Sequence, residues 1–314
     1  MKEHQQLGPG PEFDRVRAIL AALGERGGPS GDDTALISVG GHTLALSTDI
    51  SVEGVHFRTD WITHEEIGWR ATAAALSDLA AEGADPHGVL VALGVPAGAT
   101  DTEAAALMRG AGLAAEASGT KVLGGDLSSA AGWTVAVTVI GEAARPVTRS
   151  GGRAGDTLYV TGTIGSARAA VDAWLGGRTP DAAAREHFVH PVPRIAAGRA
   201  LARTATAMLD LSDGLAADIR HLAAASNCGA EIELERIPVG AGVAAEAARK
   251  GISAEAYAAE GGEDYELLVA LPSDAAPPLL DVKLTPIGRL VAGDEVRFTQ
   301  QGARVTLQGF QHFR

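Results

Sequence analysis

Strand-like and helical stretches follow one another along this chain without a regular βαβ rhythm, which favours an α+β arrangement over a doubly wound parallel sheet. In the first half, "EFDRVRAILAALGERG" places Phe13, Val16, Ile19, Leu20 and Leu23 at helical spacing, closed by Gly24 or Gly27. "TALISV" and "HTLALSTDI" alternate as strands do and are separated by Gly40-Gly41, so they read as a hairpin. "THEEIGWRATAAALSDLAAEG" is a helix with capping-box spacing between Thr63 and Glu66, an Ala-rich body and a stop at Gly83. "GVLVALGVP" reads as a strand and Thr102 to about Ser118 as a helix. "KVLGGD" and "WTVAVTVIGEA" then read as strands with a Gly-rich loop between them.

With 314 residues the chain is long for one hydrophobic core, so two domains are expected. Composition shifts at "ARPVTRSGGRAGD", where Pro146 is followed by Gly151, Gly152 and Gly155, placing the boundary between residues 1–146 and 147–314. The second part opens with a strand, "DTLYVTG", and a helix, "SARAAVDAWL". Pro191 and Pro193 break the chain before a further helix near Ile195–Arg203. "MLDLSDGLAADIRHLAAASNCG" reads as strand, turn and helix, with Leu215, Ile219 and Leu222 on one face. "AEIELERIPV" alternates as a strand, "GGEDYELLVALP" is a Gly-rich loop entering another, and short strands close the chain. The tripeptide Leu-Ser-Asp occurs at 76–78 and again at 211–213, a hint of related halves.

A formal charge of −13 and the absence of any Lys/Arg run argue against a nucleic-acid partner. A chain of this charge that handles phosphates is expected to do so through metal ions. The lone Cys228 excludes an intramolecular disulfide and fits a reducing cytoplasm. "MKEHQQLGPG" lacks the apolar segment of a signal peptide, and no apolar run is long enough to span a bilayer.

Acidic residues recur beside Gly, Ser or Thr: "GDD" at 31–33, "STD" at 47–49, "LSD" at 76–78, "GGD" at 124–126, "DLSD" at 210–213 and "GGED" at 261–264. Such oxygen donors suit Mg²⁺, and no His or Cys accompanies them at zinc-ligand spacing. Singly, most have a plain explanation, because Asp, Ser and Gly are what turns and helix caps use. Asp78 resists it: it lies late in an Ala-rich helix, where the helix dipole disfavours a carboxylate, on a stretch too apolar for a solvated face. If several of these carboxylates met, each close pair would repel by about 4 kcal/mol at roughly 4 Å and an effective dielectric near 20, and cations would be needed to hold them.

In order along the chain, "GDDTALI", "STDISVEGVHF", "ALSDLAAEGADP", "GGDLSS", "TRSGGRAGDTLYVTG", "LDLSDGL" and "GGEDYELL" resemble the motif series of the thiamine-monophosphate kinase family, a relative of aminoimidazole ribonucleotide synthetase. The match runs from about Glu12 to Phe310. The resemblance implies a homodimer whose N-terminal domains pair into a shared β-barrel with flanking helices, an α/β sandwich-like C-terminal domain, and ATP in a groove near the dimer interface. It implies transfer of the γ-phosphoryl group of ATP directly to thiamine monophosphate. By the same resemblance Asp33, Ser47, Thr48, Asp49, Asp78, Asp126, Asp210 and Asp213 would hold Mg²⁺, with Asp78, Asp126 and Asp210 central to catalysis. Gly125, Asp126, Arg149 and Ser212 would bind nucleotide, and His56, Glu263 and Phe310 would line the thiamine monophosphate pocket.

Two departures from the family pattern stand out: "LAAEASGTKVLGGD" offers no aromatic residue to stack on adenine, and Ala154 replaces a usual proline. "GTIGSARAA" lacks the Gly-Lys-Ser/Thr ending of a Walker A loop. Outside the resemblance, His56, Arg149 and Phe310 would read as ordinary surface or packing residues. His187, His190 and His221 read as structural and Cys228 as a buried small residue. Aminoimidazole ribonucleotide synthetase is the enzymatic alternative, and a non-catalytic nucleotide-binding module is the alternative outside enzymes.

Overall fold

Gly40 and Gly41, at φ of 57° and 89°, turn β1 (Ala35–Val39) back into β2 (His42–Val52) as the expected antiparallel hairpin. The structure, a computed structural model, describes residues 8, 10–28 and 31–309. Phe310 lies outside the described residues. Helix α1 (Pro11–Leu23) precedes the hairpin, and α2 (His64–Ala81), β3 (Asp85–Pro96), α3 (Asp101–Ala117), β4 (Val122–Ala130) and β5 (Thr134–Glu142) follow it. The Thr63–Glu66 capping box forms in both directions at the start of α2, and Thr100 with Glu103 repeats it on α3. The five strands lie in the order β1-β2-β5-β3-β4, with only β3 and β4 parallel. β4 runs further than "KVLGGD", so the Gly-rich segment pairs with β3 as an edge strand instead of looping. A Cβ at Gly125 would sit 1.7 Å from the carbonyl oxygen of Val91, so this close approach admits only glycine.

Alternation on β5 buries Val135, Val137 and Val139 against α2, whose Ala71, Ala75, Leu76 and Leu79 are also buried. Gly68 and Gly110 let α2 and α3 touch backbone to backbone, since a Cβ on either would fall 1.8 Å from a carbonyl oxygen of the other helix. The opposite face of the sheet carries Ile37, Val39, Ile50 and Leu90 exposed, and edge strand β4 exposes Leu123 and Leu127.

The second sheet has the order β12-β11-β8-β10-β6-β9-β7 and is antiparallel except for β8 with β11. Its strands are β6 (Thr157–Thr161), β7 (Ala207–Asp210), β8 (Gly229–Glu233), β9 (Leu267–Leu271), β10 (Leu284–Val291), β11 (Val296–Gln300) and β12 (Ala303–Val305). Helices α4 (Ser166–Leu175), α5 (Ala182–Val189), α6 (Ile195–Leu201), α7 (Leu215–Ala225), α8 (Val243–Lys250) and α9 (Ala254–Ala259) are interleaved with them. The α+β class is therefore as expected, while neither sheet of the described residues closes into a barrel. Helix α2 also packs on α5, α6 and β7, and Trp69 Nε1 donates to the Pro191 carbonyl at 3.1 Å, so α2 faces both sheets. No helix of the described residues is long and apolar enough to cross a membrane.

Candidate active site

The last turns of α2, the C-terminal residue of β7 and the loop before β1 bring Asp78, Asp210 and Asp33 together, with one oxygen of each within 4.8 Å of the others. Strand alternation then sorts "STD". Ser47 and Asp49 share the inner face with Ala45, and Ser47 Oγ donates to Asp78 Oδ2 at 2.5 Å. Thr48 points the other way, where its hydroxyl meets that of Thr138 at 2.8 Å. Strand alternation thus puts the Thr48 hydroxyl on the opposite face of the sheet from Ser47 and Asp49, so it is the Thr48 backbone that stands on the cluster's side of the motif.

Burial, with Asp33 nearby, pushes Asp49 up to about 6. Burial first and Asp33 second push Asp210 up to about 8. Asp78 is pushed well above the carboxylate range by burial and by Asp49, Asp210 and Asp33. Arg149 binds Asp33 Oδ1 through Nη2 at 2.5 Å and Nε at 3.2 Å, and its backbone N–H donates to Asp32 Oδ1 at 3.0 Å. Asp33 Oδ2 is buried with no hydrogen-bond partner. An orphaned carboxylate oxygen aimed among like charges, in a set made only of oxygen donors, fits a hard divalent cation such as Mg²⁺.

The "LSDGL" and "GGEDYE" motifs, some fifty residues apart, are joined backbone to backbone: Glu263 N–H donates to Ser212 O at 2.7 Å and Tyr265 N–H to Leu211 O at 2.9 Å. Gly214 and Gly262 are pressed so close to this joint that a Cβ on either would fall 2.5 Å from the other segment's carbonyl oxygen. Glu263 and Tyr265 adopt φ of 65° and 51°, a conformation costly for side-chain-bearing residues and characteristic of sites where geometry is held for function. Asp264 accepts from Gly165 N–H with both oxygens, at 2.9 and 2.8 Å, and pins the loop from below.

These elements enclose a cavity of about 920 Å³, lined by Asp49, His56, Asp78, Asp210, Ser212, Asp213 and Glu263 among others. Seven of the residues singled out in the sequence thus face one space. Gly125 and Asp126 do not: the row Asp49–Val137–Val91–Gly125 crosses the sheet, so they stand three strand spacings, about 14 Å, from β2 on an exposed edge. Arg149 stands behind Asp33 instead of lining the cavity.

The chain matches known proteins over most of its length. The AIR synthase related protein family models match with the N-terminal domain over residues 31–143 and the C-terminal domain over residues 153–300. A thiamine-monophosphate kinase of Halobacterium salinarum is 37% identical over 306 residues, covering 94% of this chain and 99% of that one. The Escherichia coli K12 thiamine-monophosphate kinase is 36% identical over 324 residues, covering 96% and 95%. The chain belongs to the thiamine-monophosphate kinase family. A solved structure, AaThiL complexed with AMPPCP and TMP, is similar at a TM-score of 0.88 and 33% identity, covering 96% of this chain and 97% of that one.

Beyond the residues that mark the family, the site holds groups that sequence reasoning missed. Arg70 lies in the apolar body of α2 and binds Glu263 at 2.5 Å. Tyr265 lines the cavity. Glu82, just past α2, is fully buried, and burial, then Asp32 and Asp33, push it up to about 10. Asp218 in the first turn of α7 accepts from Asp213 N–H at 3.2 Å. The signal for Arg70 was present: a lone cation inside "GWRATAAAL" needs a buried partner.

Proposed function

We propose that this chain phosphorylates thiamine monophosphate to thiamine diphosphate at the expense of ATP, by direct in-line transfer of the γ-phosphoryl group and with Mg²⁺. The observation that carries this reading is the cavity that joins Asp78 and Asp210, which cluster with Asp33, to Glu263 and His56, in a chain similar over most of its length to thiamine-monophosphate kinases. Asp33, Asp49, Asp78 and Asp210, with Ser47 behind Asp78, would hold Mg²⁺, and Asp213 would hold a further ion. Bound Mg²⁺ supplies neutralisation of the charge that two phosphate-bearing reactants bring together.

The rest falls to the chain. Ser212 and the N-terminus of α7 face the nucleotide phosphates, and Arg149, which fixes Asp33, adds positive charge on the same side. His56 and Glu263 orient the acceptor, with Phe310 assigned to the same pocket from sequence. The acceptor phosphate oxygen is ionised at neutral pH, so no strong general base is needed; it attacks the γ-phosphorus as the β–γ bridging oxygen leaves with ADP. Positioning in line and charge neutralisation of a loose transition state account for the catalysis, and no phosphoenzyme is required. We expect thiamine diphosphate to form from ATP and thiamine monophosphate with Mg²⁺ and formation to stop in excess EDTA. Absence of product with Mg²⁺ present would leave only a binding module.

We further assign residues 1–146 to an ATP- and Mg²⁺-binding domain that also dimerises, residues 147–314 to a domain completing the site, and the reaction to the cytoplasm. The exposed apolar face of Ile37, Val39, Ile50 and Leu90, with Leu123 and Leu127 on β4, supports a second copy covering this sheet to form the shared barrel. Gly125 and Asp126 lie on that edge, which supports assigning their nucleotide and metal roles to the neighbourhood of the proposed interface. Light scattering of the purified protein should report a dimer. A monomer that retains full activity would contradict both the barrel and the interface position of Asp126.

A further inference from the structure

Arg70, Ala74 and Asp78 follow one another at i, i+4 and i+8 and so share one face of α2, and both Ala74 and Asp78 line the cavity. At 1.5 Å per residue, Arg70 stands about 12 Å along the helix from Asp78. Its side chain is 5% exposed, and the guanidinium is held at three points by the second half of the chain. One nitrogen lies 2.5 Å from Glu263 Oε1, Nη1 donates to the Phe188 carbonyl at 2.6 Å, and the group covers the Phe188 ring at 3.7 Å. The Glu263 backbone is held by its N–H bond to Ser212 O, and Arg70 is the cation that meets its carboxylate. Desolvating such a pair makes it weak as a source of stability, and its value lies in direction.

We propose that Arg70 is a positioning residue for the acceptor substrate: it holds Glu263 at one end of the cavity, and α2 sets the span from that carboxylate to the Asp78 end. The inference rests on Glu263 belonging to the acceptor pocket. With its charge balanced by Arg70, Glu263 offers a directional hydrogen-bond acceptor instead of a net charge, suited to the amino group of a heteroaromatic ring whose phosphate lies at the far end. Helix α2 then acts as a ruler for an elongated phosphate ester, both of whose ends it touches.

The test is a double-mutant cycle in the full-length protein with Arg70→Met, Glu263→Gln and the double variant, plus Arg70→Lys, reading kcat and KM for each substrate. Arg70→Met should raise KM for thiamine monophosphate at least about tenfold while KM for ATP stays within about twofold. Arg70→Lys should fall between, because an ammonium keeps the charge but lacks the planar fork whose two nitrogens reach Glu263 and the Phe188 carbonyl separately. In the Glu263→Gln background the Arg70 change should add no more than about twofold. Equal rises in both KM values, or full additivity in the cycle, would overturn the proposal. A Glu263→Gln variant with native KM for thiamine monophosphate would overturn the placement of Glu263 instead. If Arg70→Met does not fold, Arg70→Lys paired with Glu263→Gln completes the same cycle.

Discussion

Asp78→Asn is expected to lower kcat by at least about three orders of magnitude, some 4 kcal/mol of transition-state stabilisation, and yet to melt higher than the native protein in EDTA at pH 8.5. The two effects have one cause. Asp78 shares a 4.8 Å neighbourhood with Asp33 and Asp210 and accepts from Ser47, and an asparagine keeps the shape and an acceptor oxygen for that hydroxyl while removing the charge. Without cations the charge is a liability, since each ionised pair repels by about 4 kcal/mol at roughly 4 Å and an effective dielectric near 20. With cations, on the proposed reading, it would be what binds them. A carboxylate kept for packing would lose stability and activity together, so opposite signs separate the two roles. Asp210→Asn, at the end of β7, should behave the same way. Activity within tenfold of native, or a lower melting point in EDTA, would remove Asp78 from the metal centre.

The second large effect is the pH dependence of the metal-free protein. Asp49 and Asp210 are raised to about 6 and about 8 in the folded chain, each chiefly by burial, and Asp78 is raised further. Unfolded, all three ionise near pH 4. The folded state therefore binds these protons more tightly, and their contribution to stability is complete below about pH 4 and lost as pH rises through about 6 and about 8. In EDTA the thermal midpoint should fall by roughly 5–10 °C between pH 5 and 8.5. Saturating Mg²⁺ should flatten the profile, so that its stabilising effect grows with pH. Differential scanning fluorimetry across this range decides the matter: equal stabilisation by Mg²⁺ at pH 5.5 and 8.5 would show that the ion binds elsewhere.

Much of the local structure was readable because it depends on neighbours in sequence. The Gly40-Gly41 turn, the Thr63–Glu66 box and the alternation of Val135, Val137 and Val139 each declare their element within a few residues. Helices α5, α8 and α9 escaped notice because six to eight residues make barely two turns, too few for a helical period to declare itself. β4 was read too short because the Ser128-Ser129 stretch after "KVLGGD" looks like a loop until β3 is placed beside it. Thr48 shows the limit within a motif: "STD" reads as one unit, yet the pleat sends its middle side chain to the other face of the sheet.

What this sequence determined by itself was the chemistry available: hard oxygen donors in six short motifs, no thiol or imidazole set for a softer metal, and a charge that needs cations before phosphates can approach. Only the tertiary structure decided which donors meet. Convergence of Asp33, Asp78 and Asp210, the joining of Ser212 to Glu263 and the reach of Arg70 to both Glu263 and Phe188 each link residues tens to nearly two hundred positions apart. Side-chain type is written locally, whereas distance between far residues is set by the packing of α2 between two sheets, and no local pattern encodes it.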